Sequence, residues 1–294
     1  MLVVAWILVI LIFLFFFFSS IGKGKALLLE KNHLSDITLE DKFDSYSYDA
    51  EKIEDISVNC IDESLVIQHT DEPEISIVMY GGWEAQNEPK ISFKNGILRI
   101  IQEASSDMYE RLLVINLPAA SVGENTNINV EHVEKDIVIK NIKINKLNAI
   151  NKNGLIQIEN IEAKNIFAKN NAGGIKILES NVEEINAETY TGAINLSGKA
   201  NKIDAKSNSG SIETHYKTNF KDDCSFQTTV GSINLFLSKK SSFILDCSSL
   251  DAQIQNDFTE TKTSGNLNQN VGTNPKHKIV VKTESGFVLV SKNV

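Results

Sequence analysis

Residues 166–175 read IFAKNNAGGI, residues 185–194 read INAETYTGAI and residues 203–212 read IDAKSNSGSI. One phrase recurs: an Ile, an Ala two places on, a Gly five places after that, and an Ile two further. Carried outward, the first column is Ile128, Leu147, Ile166, Ile185, Ile203, Cys224, Leu245 and Ile279. The second is Val130, Ala149, Ala168, Ala187, Ala205, Phe226, Cys247 and Val281. Gly holds six of the eight corner positions, Lys135, Gly154, Gly173, Gly192, Gly210, Gly231, Ala252 and Gly286, and a β-branched residue comes after each one, from Ile137 to Val288. Successive steps are 19, 19, 19, 18, 21, 21 and 34 residues. A fixed period of this size marks stacked repeats.

Inside each phrase apolar and polar residues alternate, as in Gly154-Leu155-Ile156-Gln157-Ile158, which is the period of a strand with one buried face. The β-branched enrichment and a Gly in most coils argue against a helix. The sequence therefore predicts an all-β fold: a parallel β-solenoid of about 19-residue coils, with Gly at the corner where positive φ or close approach excludes a Cβ. A hexapeptide solenoid would place aliphatics six apart, and the coil from 154 to 172 does not. A calcium-binding nonapeptide roll needs G-G-x-G-x-D, and Gly173-Gly174 is the only Gly pair in the repeats.

The chain opens with 17 apolar residues, Leu2 to Phe18. Extended to about residue 21 as a helix they span ~30 Å, the thickness of a bilayer core. Residues 1–22 are thus expected to be one transmembrane anchor, with a cleaved signal peptide as the rival reading. Residues 23–46 are expected as a stalk. Lys23 and Lys25 on their own favour a cytoplasmic side for the remainder of the chain. Residues 47–120 carry hairpin-like strands, including a turn at Asn95-Gly96, and are expected to form an N-terminal β cap. The solenoid then occupies 121–294, with a polar insertion at 256–278.

The net charge of −9 and the lack of clustered Lys and Arg make a nucleic-acid partner unexpected. Four aromatics are candidates for a sugar platform, Tyr80, Trp83, Tyr190 and Tyr216, and each is expected to be a packing or singly exposed ring. Three cysteines, Cys60, Cys224 and Cys247, read as core thiols. On the register above, Cys224 and Cys247 fall diagonally on adjacent coils, too far apart for a disulfide. His33, His69, His132, His215 and His277 lack metal-ligand spacing, so no metal and no cofactor is expected. Glu183-Glu184 and Asp222-Asp223 fall at corners. The outward column Gln157, Lys176, Asn195, Glu213, Asn234, Gln255 holds no two adjacent acids, and no catalytic residue is assigned. Asn195-Leu196-Ser197 matches a glycosylation sequon, of consequence only in a secreted eukaryotic chain.

The hydrophobic start, the strand VINLP (114–118), the repeat AKSNSGSIET (205–214) and the closing IVVKTESGFVLV (279–290) together resemble the bacterial putative-adhesin family of β-strand-repeat domains. The resemblance covers about residues 45–294, and the chain departs from it at Lys135, at Ala252 and in the insertion. It implies a bacterial envelope protein whose repeat domain faces outward, and it transfers no catalytic residues. The expected function is a membrane-tethered, adhesin-like envelope binding or scaffold domain without enzyme activity, meeting an envelope polymer or protein ligand. A cytoplasm-facing scaffold that polymerises like a bactofilin is the alternative, and a β-helix glycan-cleaving enzyme the second.

Overall fold

The computed structural model describes residues 42–83, 88–102 and 110–293, with the side chain of Ala252 left aside. These residues are all-β. No helix among them is long and apolar enough to cross a membrane, and the expected anchor and most of the expected stalk lie outside them.

The repeat phrase becomes two walls of stacked parallel strands. In the first wall Leu147 pairs with Ile128 on one side and Ile166 on the other, and the ladder continues through Ile185 to Ile203. In the second, Ile137, Ile156, Ile175, Ile194, Ile212 and Ile233 pair in succession. Strands such as Ile175–Thr191 and Ile194–Ser209 run from the second wall of one coil into the first wall of the next, so the 21 strands among the described residues join in one sheet wrapped around a principal core. The result is solenoid-like. The columns of Ile, Leu, Val and Ala predicted to face inward are buried along the whole stack.

The corner glycines are required by their neighbours. A Cβ on Gly173 would overlap the carbonyl oxygen of Gly154, and the same clash with the preceding corner recurs at Gly192, Gly210, Gly231 and Gly286. Gly173 also sits at φ 141°, where L side chains rarely go. Those carbonyls turn inward, and a feature the apolar columns do not reveal answers them: four residues after seven of the eight first-column residues, all but Leu245, stands a buried polar side chain. Asn151 donates to the carbonyl of Lys135 at 2.8 Å, Asn170 to Gly154 at 2.6 Å, Thr189 to Gly173 at 3.0 Å, Ser207 to Gly192 at 3.1 Å and Thr228 to Gly210 at 2.9 Å. A buried backbone acceptor left unpaired would cost about 1–3 kcal/mol, so this ladder satisfies the carbonyl that each of these tight corners turns inward.

Both ends depart from the expected order. The last coil in sequence, Lys278–Ser285 with Phe287–Lys292, lies between the coil that begins at Cys224 and the one that begins at Phe243. Cys224 pairs with Ile279 and Cys247 with Val281, so the two cysteines are not on adjacent coils; a whole coil separates them, and all three cysteines are free and buried. The N-terminal end repeats the device: Ile56 pairs with Leu98 outside it and Ile128 inside it, and Ile67 with Ile115 and Ile139. The segment expected as a cap therefore contributes two parallel coils, and the covering role falls to Lys90–Lys94, Ile75–Gly81 and Lys42–Tyr48, which pair antiparallel at the edge. The insertion contributes Thr261–Val271, which lies antiparallel along Phe243–Asn256 and covers the other end.

Candidate functional site

The side chains that sequence analysis singled out do not converge. Gln157, Lys176, Asn195, Glu213 and Asn234 do form one half-exposed column on the second wall, and Leu289 of the inserted coil stands between Asn234 and Gln255. The acidic pairs are engaged: Glu184 bonds Lys202 at 2.7 Å, and Asp223 accepts the backbone N–H of Lys278 at 2.7 Å. Trp83 is buried, its indole N–H donating to the Tyr80 carbonyl at 2.9 Å with the Arg111 guanidinium over its ring at 5.5 Å. Tyr216 is fully buried against Phe220, whereas Tyr190 is 60% exposed. His215 stacks on Phe236 and bonds Glu213 at 2.9 Å; His69 faces Asp71 at 3.2 Å; His33 lies outside the described residues.

One cluster is not apparent from the sequence columns. Set on the repeat register, ISVNC (56–60) aligns with INVEH (128–132), and the structure pairs Cys60 directly with His132, both pointing into the core. Extending the columns one coil toward the N-terminus is the signal that would find it. Glu63 lies at the corner beyond Cys60, its side chain beside the thiol and its carbonyl bonded to the His132 imidazole. Around them Gln102 bonds Asp62 at 3.0 Å, and Arg111 reaches both oxygens of Asp62 at 3.3 Å.

Cysteine, histidine and carboxylate side by side suggest nucleophilic chemistry, and the environment opposes it. Burial, then the neighbouring Glu63, pushes the Cys60 thiol well above its ordinary range; burial pushes the His132 imidazole down and the Glu63 carboxyl up to about 7. An activated thiol needs the reverse, a depressed pKa and an open approach. Cys60 and Glu63 have no exposure at all. Oε1 of Glu63 is buried without a hydrogen-bond partner, a costly arrangement in a low-dielectric interior. Among the described residues no group of His, Cys, Asp and Glu could hold a metal ion.

The second feature is on the outside. Over four coils the first wall presents Asn129, Asn148, Phe167 and Asn186 to solvent, and with flanking amides they line an open groove of about 530 Å³.

A protein-family profile, Toastrack DUF4097, matches residues 53–291. Among solved structures, a putative adhesin from Bacteroides fragilis NCTC 9343 is similar at 14% identity, with TM-score 0.50 over 85% of this chain and 96% of that one. A putative adhesin from Parabacteroides merdae ATCC 43184 gives 11% identity and TM-score 0.38, over 83% of this chain and 95% of that one. A putative cell adhesion protein from Clostridium sporogenes ATCC 15579 gives 15% and 0.29, over 85% and 99%. No curated protein matches.

Proposed function

As this chain belongs to the Toastrack DUF4097 family, we propose that it is an adhesin-like, non-catalytic binding domain of the cell envelope, held at the membrane by its apolar N-terminus and facing outward. The observation that carries this reading is the division of chemistry between inside and outside. The one Cys–His–carboxylate juxtaposition among the described residues is sealed in the core with its thiol held protonated, while the accessible surface consists of stacked polar strand faces. Such an array of fixed, evenly spaced side chains suits contact with an extended partner. Hydrolysis of one would need paired acids or an activated nucleophile at the surface.

The polymerising scaffold draws less support, because end-to-end stacking needs open parallel edges and antiparallel strands cover both ends here. Protease added to intact cells tests the placement: a repeat domain digested without lysis is expected, and one cleaved only after lysis would overturn it. Purified chain incubated with peptidoglycan and surface polysaccharide is expected to be retained on one of them without shortening it. Release of shortened fragments would refute the non-catalytic part.

A further inference from the structure

The groove on the first wall is lined chiefly by amides gathered around one aromatic ring. Its central column runs Asn129, Asn148, Phe167, Asn186 before charge returns at Asp204. Beside it, Asn145 donates to Asn127 at 3.0 Å, Asn127 to Asp55 at 3.2 Å and Asn165 to Glu184 at 3.4 Å. These bonds hold the flanking amides in place. The amides of Asn129, Asn148 and Asn186 are left without a side-chain partner among the described residues, and Oδ1 of Asn186 is shielded from water as well. Phe167 stands half-exposed among them.

An amide is both donor and acceptor, which matches a hydroxyl, itself both. An aromatic ring at the centre of such a set offers an apolar surface to the C–H face of a sugar. Charge narrows the class: Asp55 and Glu184 are balanced by Lys146 and by Lys202, which pairs with Glu184, and on a chain of net charge −9 nothing in the groove draws an anionic polymer. Spacing fixes the orientation, since coils repeat every ~4.8 Å along the stack, close to the advance of one pyranose in an extended chain. Resting on the binding role proposed above, we infer that this groove takes a neutral, hydroxyl-rich glycan laid along the stack, with successive sugars over successive coils and Phe167 beneath one of them.

The test is co-sedimentation of the full chain, in a detergent without a sugar headgroup, with insoluble β-glucan and mannan as neutral probes, polygalacturonate as the anionic one and gelatin as the protein one. Retention on a neutral glycan is expected, weakened at least tenfold by Phe167→Ala and by Asn148→Asp and unchanged by Lys176→Ala on the other wall. Melting temperatures show whether each variant is folded; should Phe167→Ala unfold, Asn129→Ala, at an exposed position, serves in its place with the same expectation. Retention only on polygalacturonate or gelatin, or equal retention of wild type and groove variants on the neutral glycans, would overturn the assignment. Equal retention on whole envelope material would remove the groove and leave the binding role standing, whereas retention on nothing would remove both.

Discussion

At the scale of single residues the corner column contains its own control. Gly173 occupies a left-handed conformation against the Gly154 carbonyl, so Gly173→Ala combines a backbone penalty of about 1–2 kcal/mol with a clash that forces two coils apart. Lys135, at the start of the column, already sits at φ 85° with a side chain, and its exposed ion pair to Glu110 at 2.8 Å is worth little. Lys135→Gly is therefore expected to raise stability by about 0.5–1 kcal/mol, while Gly173→Ala lowers it by more than about 2. Denaturant midpoints decide this; equal losses for both would remove the claim that the corner demands glycine. Glu63 gives a prediction in pH. Its folded pKa is raised to about 7 by burial, so the folded state holds the proton more tightly than the unfolded chain. The stabilisation is complete below the ordinary carboxyl pKa and is lost as pH rises toward 7, by up to ~3 kcal/mol. His132, pushed the other way, costs stability as pH falls, so wild type alone shows a mixture. The difference between wild type and Glu63→Gln isolates the carboxyl: the variant should gain on wild type between about pH 5 and 7.5, and a constant difference across that range would refute the assignment.

At the scale of elements, the sequence makes plain which residues share a column and leaves obscure the order of coils along it. The walls, the corner glycines and the outward column are all legible because alternation and period fix register. Stacking order is legible only where the connection is too short to allow a choice. Val288 packs as well against Ile233 as against Ile254, and it does both; the 34-residue step before it leaves room for the chain to double back. For the same reason Ile56 reads from sequence as part of a cap, since a 72-residue excursion separates it from its partner Ile128. The groove asparagines are inconspicuous in the sequence because Asn between apolar columns looks like any solvated residue until four coils bring its copies together. The inserted coil has a mechanical consequence. In a stack ordered as the chain runs, deleting the last coil removes one interface and leaves the rest intact. Here deletion of 278–294 strips the coil that begins at Phe243 of its parallel partner and opens the one that begins at Cys224. Ile279, Val281, Val288 and Val290 are all buried, and losing them forfeits on the order of 6–10 kcal/mol, comparable with the whole stability of a domain. The truncated chain is expected to be insoluble or fully protease-sensitive. A truncated chain that melts cooperatively within a few degrees of wild type would show that the inserted coil is dispensable.

For the whole molecule, the question is what stops a stack of identical strands from continuing into a neighbour. Every interior coil has parallel partners on both edges, and the outermost ones on one edge only; an uncovered parallel edge would template a second molecule. At the C-terminal end the covering strand Thr261–Val271 alternates polar residues on both faces, TKTSGNLNQNV, and pairs antiparallel with Phe243–Asn256 through Val271↔Phe243 to Thr261↔Asn256. It brings little apolar area of its own beyond Val271 and Leu267, so its value lies in satisfying the edge and presenting an unmatched, reversed strand to the outside. A chain beginning at Lys31, free of the apolar N-terminus, should then remain monomeric in sedimentation even at high concentration. Replacing 259–272 by a short Gly-Ser link should leave the core columns in place, expose the parallel edge of Phe243–Asn256, and produce oligomers that dissociate on dilution. Association of the intact chain would mean that the covered ends are not barriers and would raise the polymerising scaffold above the outward-facing binding domain. A shortened chain that stays monomeric with an unchanged melting temperature would show that the twist of the last coil, and not its covering strand, limits the stack.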